Sequence, residues 1–155
     1  MQIFKITPSF FGQFSVIITA GLFLHTVEAL GLSQSLVRFL PGLGTDYSAI
    51  FYIPAIIVIV LSLSMLGVHQ FVAMIFVGQI LKPEAIGVSP AIYASALLVG
   101  FATGMLASSF SGASITMSSL LPGTTSYQIA KRNYPFSFTF IAISMLFLIL
   151  VHYLM

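Results

Sequence analysis

Charge is the scarcest thing in this sequence: five basic and three acidic side chains serve 155 residues, 5% of the chain. Soluble domains charge about a quarter of their residues. With 59% hydrophobic residues and a mean hydropathy of +1.12, the chain belongs in a bilayer. The basic residues Lys5, Arg38, Lys82, Lys131 and Arg132 are scattered over the whole length, so no patch exists for nucleic acid. Cysteine is absent, which removes disulfides, thiol catalysis and cysteine-ligated metals.

A helix crosses the hydrocarbon with about 20 apolar residues. Residues 10–30 and 134–155 meet that length and read as spans. The first run is longer than a signal-peptide core, holds Glu28 and shows no small-x-small cleavage site, so it is expected to be retained. Residues 46–81 divide into two shorter apolar arms around Ser64-Met65-Leu66-Gly67-Val68-His69-Gln70. The second arm, of about 11 to 14 residues, is short for a crossing. It predicts a re-entrant helical hairpin, with two tilted spans as the alternative. Residues 89–121 open with Ser89-Pro90, a cap and first-turn proline. Their helical pattern lasts to Ala107 and then meets "SSFSGAS" at 108–114. Serine side chains offer the backbone alternative hydrogen bonds, so this stretch reads as one broken helix.

Connections complete the layout. Leu32, Leu36 and Leu40 recur at four-residue spacing and predict an interfacial helix over 33–40. "PGTTSYQIAKRNYP" predicts a capped turn and a short surface helix ending in Lys131, Arg132 and Asn133. The expected fold is a single all-α integral membrane domain over 1–155, with spanning helices, a re-entrant hairpin and a broken helix. Along this path Lys5, Lys131 and Arg132 share one side, and Arg38 and Lys82 share the other with Asp46 and Glu84. The positive-inside rule then puts the N-terminus in the cytoplasm and the C-terminus outside. A bacterial or archaeal inner membrane is the expected location.

Two places carry the candidate chemistry. At the hairpin tip, Ser64, Gly67, His69 and Gln70 bring a hydroxyl, a flexible backbone, an imidazole and a carboxamide into an apolar setting. Non-helical backbone at membrane depth survives where it is buried in protein or lines a watery cavity. In the break, Ser108, Ser109, Ser111, Gly112 and Ser114 can meet a cation through oxygens or an anion through hydroxyl donors. Two interrupted segments in one short membrane chain are the sequence pointer to a secondary-transporter site. Plain turns and close helix packing are the competing explanation, because Ala96, Gly100, Gly104, Ser108 and Gly112 form a small-residue stripe. His25 and Glu28 read as an interfacial pair, and His152 with Tyr153 as an interfacial anchor. No His-x-x-x-His spacing, G-x-S-x-G context or glycine-rich phosphate loop supports an enzyme or a metal site.

This order of elements resembles one inverted-repeat half of the ion-transporter superfamily. That group includes divalent-anion/sodium symporters and citrate and dicarboxylate permeases. The likeness covers about residues 10–155 and is one of architecture, with an outside C-terminus as in the second half. It implies binding of a small carboxylate at the tip and the break, coupled to Na⁺ or H⁺. The tip here lacks the Asn and Thr of the family's Ser-Asn-Thr signature, and His69 offers a proton-carrying group instead. Such a transporter needs two halves around one site, so a second transporter half or a homo-oligomer is the expected partner, beside the lipid bilayer and the anionic solute. No cofactor beyond the coupling ion is expected. The alternative is a small non-transporting membrane subunit that docks, through the same small-residue stripes, onto a larger complex.

Overall fold

The computed structural model describes residues 49–154 continuously, together with Ile18, Gly21, Leu22, His25, Thr26, Ala29, Leu30 and Gly31 of the first apolar run. The interfacial helix expected over 33–40, the charges at Lys5, Glu28, Arg38 and Asp46, and the partner of His25 lie outside the described residues. Within the first run the described residues up to Ala29 are helical, and Leu30 N–H still reaches Thr26 O at 3.0 Å before Gly31 turns at φ +64°.

Five helices follow: α1 (Ala49–Met65), α2 (Gln70–Ile80), α3 (Pro90–Ala107), α4 (Gly112–Leu120) and α5 (Ser126–Leu154). No strand occurs among the described residues. A 3-10 turn, Pro83–Ala85, joins α2 to α3. Two stretches are long and apolar enough to cross a membrane: Pro90–Leu120, taken across its break, and Ser126–Leu154. At 1.5 Å per residue, α1 is about 25 Å long and α2 about 16 Å, against a hydrocarbon thickness of about 30 Å. Alone, α2 falls well short of a crossing.

The core forms where α1, α2 and α3 meet, with α5 closing one side. In α1 the buried residues Ile53, Ile56, Ile57, Val60, Leu61 and Ser64 trace a single helical stripe. Facing them, α3 offers Ala96, Gly100 and Gly104, all buried. A Cβ built at Gly100 would stand 2.8 Å from Val60 Cβ and 3.2 Å from the Ile57 carbonyl oxygen. Only a bare backbone allows this approach, and in lipid such close packing replaces the hydrophobic effect as the force between helices. Tyr93 ties α3 to α2 by donating its hydroxyl proton toward the carbonyls of Leu81 and Val77, the second at 3.3 Å.

One expectation is corrected. The short surface helix before Asn133 and the last span are not separate: α5 runs unbroken through Pro135. Proline removes one backbone N–H, but it follows the first turns of a 29-residue helix whose seam, Ala130, Ser137, Ile141 and Leu148, is held along α3 and its neighbours. Membrane helices tolerate such prolines. The outward side of α5 exposes Phe136, Phe138, Ile143, Leu146, Phe147 and Leu150, an apolar face suited to lipid or to another helix.

Candidate functional site

The hairpin tip is built from two helix caps. At the end of α1, Val68 N–H bonds to Leu63 O at 3.0 Å and Gly67 N–H to Ser64 O at 3.3 Å. With Gly67 at φ +97°, this is a Schellman stop, which explains the glycine in the apolar run. His69 then starts α2: its Nδ1 accepts the N–H of Phe71 at 3.3 Å. While Nδ1 accepts this bond it carries no proton, which leaves Nε2 as the nitrogen that can hold one. The histidine and the glycine therefore hold the turn as well as lining it.

The break is built in the same way. Ser108 ends α3, its N–H still bonded to Gly104 O at 3.0 Å. Its Oγ accepts the N–H of Phe110 at 3.1 Å, the local competition that stops the helix. Ser111 N–H bonds to Ser108 O at 3.2 Å, and Ser111 caps α4 by accepting the N–H of Ser114 at 3.1 Å. Its hydroxyl donates to Ser114 Oγ, also at 3.1 Å.

Tip and break meet. Ser108 Oγ donates to the Ser64 carbonyl at 2.7 Å, across 44 residues of chain and in a buried setting. Gly104 lies under this contact: a Cβ there would stand 2.6 Å from Ser64 Oγ and 3.4 Å from Gln70 Cβ. The Phe110 ring covers Gly67, 3.8 Å from where its Cβ would be. Of the nine candidate residues, Ser64, Gly67, Gln70 and Ser108 are drawn together around Gly104 and Phe110. His69 adjoins them as the cap of α2, and Ser111 and Ser114 are buried on the other side of the break. Ser109 is half-buried, and Gly112 is exposed with open space around it. The small-residue stripe therefore ends at Ser108, and its Gly100 and Gly104 are occupied by α1.

The chemistry open to the site follows from these bonds. The hydroxyl protons of Ser64, Ser108 and Ser111 are all donated within the chain, to Val60 O, Ser64 O and Ser114 Oγ. What remains on them is acceptor capacity, suited to a hard cation rather than a transition metal. The remaining donors are backbone ones: α2 begins at the tip and α4 at the break, and the first N–H groups of each lack intrahelical partners and carry partial positive charge. Of these, the N–H groups of Phe71 and Ser114 are taken by the caps His69 and Ser111. Gln70, the first residue of α2, is 6% exposed and brings its carboxamide into this buried setting.

Three residues escaped the sequence reading. Phe110 was passed over as part of the break. Asn133, read as a surface residue, donates its Nδ2 proton to Leu106 O at 3.2 Å. This bond sets the exposed Lys131 and Arg132 at the level of the break. Ser137 is 1% exposed, and its Oγ has no hydrogen-bond partner among the described residues. The seven-four-seven spacing of Ala130, Ser137, Ile141 and Leu148 was the available signal for it. Compared with known family models, characterised proteins and solved structures, the chain matches none.

Proposed function

We propose that this chain is one half of a secondary transporter that moves a small anionic solute of the carboxylate class, coupled to H⁺ or Na⁺. The observation that carries the reading is the buried 2.7 Å bond from Ser108 to the Ser64 carbonyl, which joins two interruptions that are far apart in sequence. Each interruption starts a helix. Helices that begin at interruptions, with serine and carbonyl oxygens beside them, are the kind of element with which transporters hold an anion and its coupling cation. The solute class comes from the resemblance to carboxylate permeases. Supporting the re-entrant form of the hairpin is the length of α2, about half the hydrocarbon thickness. The second half is another chain or a second copy, and the orientation expected from the charges puts the basic end in the cytoplasm.

The competing reading, a docking subunit, loses its main surface, since Gly100 and Gly104 already face α1. Reconstitution tests the choice. Proteoliposomes carrying the chain, with any partner that copurifies, should take up a labelled di- or tricarboxylate under an inward H⁺ or Na⁺ gradient. Ser108→Ala should reduce that uptake by about tenfold or more while the protein still folds. Uptake under neither gradient, or uptake unchanged by Ser108→Ala, contradicts the proposal.

A further inference from the structure

A second feature stands apart from the tip and the break. The turn between α4 and α5 forms an open pocket of about 480 Å³ lined by Gly123, Thr124, Gln128, Lys131 and Arg132. Gln128, Lys131 and Arg132 fall at i, i+3 and i+4 on one side of the first turns of α5, and Thr124 stands in the turn before it. Gln128 is held in place there: its Oε1 accepts the N–H of Thr125 at 3.0 Å, and its own N–H returns to Thr125 Oγ1 at 3.2 Å. Its Nε2 keeps both donors. The one carboxylate among the described residues, Glu84, belongs to the turn before α3, a full α3 length of about 27 Å from the level of Leu106 and Asn133. Among the described residues the two cations therefore face this pocket without an anion.

We propose that this pocket binds a phosphate group, with Lys131 and Arg132 as the charged contacts and Thr124 and Gln128 as neutral donors. Arginine and lysine beside neutral donors suit a tetrahedral oxyanion, which accepts several charge-assisted hydrogen bonds at once. Exposed apolar side chains flank the pocket residues along the chain: Leu120 and Leu121 where α4 ends, and Phe136 and Phe138 further along α5. Acyl chains would lie against them, as expected for a basic pocket at the headgroup level. A free phosphate ion has the same chemistry without the chains. The inference does not depend on the transport reading.

Thermal unfolding of the purified chain in neutral detergent tests it, titrated in parallel with dioctanoyl phosphatidylglycerol, dioctanoylglycerol and inorganic phosphate. Saturable stabilisation by the phospholipid but not by dioctanoylglycerol is expected, with half-saturation moved upward by about tenfold or more in Lys131→Gln/Arg132→Gln. Lys131→Arg/Arg132→Lys should retain the response, and Thr124→Leu, which narrows the pocket and keeps both charges, should weaken it. A comparable response to inorganic phosphate makes the ion the ligand. No response of the unaltered protein to either phosphate compound, or a response equal in the glutamine variant, overturns the proposal.

Discussion

Gly104 shows how little room the site leaves. A methyl there would meet Ser64 Oγ at 2.6 Å and Ser64 Cβ at 2.8 Å, so α1 and α3 must separate to accept it. Gly104→Ala should lower stability by about 1–3 kcal/mol, as overpacking does. Gly112→Ala, with nothing within 4 Å of the added carbon, should change it by less than about 0.5 kcal/mol. Thermal unfolding of the two variants in one detergent checks the contrast, and equal effects would mean that the helices do not pack this closely. His69 separates capping from proton handling. His69→Ala removes the acceptor for Phe71 N–H and should lose about 0.5–2 kcal/mol. His69→Asn keeps a capping oxygen and should restore most of that stability. If the imidazole carries the coupling proton, uptake by the asparagine variant is still lost. Uptake and pH dependence like those of the unaltered protein would leave histidine with the cap alone.

At the scale of elements, the hairpin and the break were legible because each is punctuated by residues with one mechanical meaning. Gly67 supplies the positive φ that stops α1, and Ser108 and Ser111 supply the oxygens that stop α3 and start α4. Their meeting was not legible. Nothing in the spacing of 64 and 108 says that one hydroxyl reaches the other carbonyl; that follows from Gly100 and Gly104 letting α3 lie flat against α1. The continuity of α5 was missed because Tyr134-Pro135 reads locally as a stop, whereas tertiary contacts along the Ala130–Leu148 seam hold the helix through it. Pro135→Ala restores an N–H to a helix that already exists, and should stabilise the protein by about 1–3 kcal/mol in the same unfolding assay. Destabilisation would point to a required kink. Ser137 is a separate case. With its buried Oγ unpartnered, Ser137→Ala should be neutral or stabilising in the empty protein. A clear loss of stability would mean that water or a solute normally occupies that hydroxyl.

The described part of the molecule is a helical body with a tight interior and an apolar exterior. Its described surface is dominated by side chains such as Leu66, Phe110, Ile115, Phe136 and Leu146, which suit lipid or a second half rather than water. Beside this surface, the two interruptions lie at the level of Lys131 and Arg132. Transport requires that they form one cavity open to water. The chain has no cysteine, so single replacements report cleanly. Ser109 and His69, both half-buried, are suitable positions, one on each interruption. In intact membranes, Ser109→Cys and His69→Cys should both react with a charged thiol reagent, and one carboxylate should slow both reactions over the same concentration range. Free labelling at 69 that ignores every carboxylate, with none at 109, would describe a surface turn beside a packed helix and contradict a shared binding site.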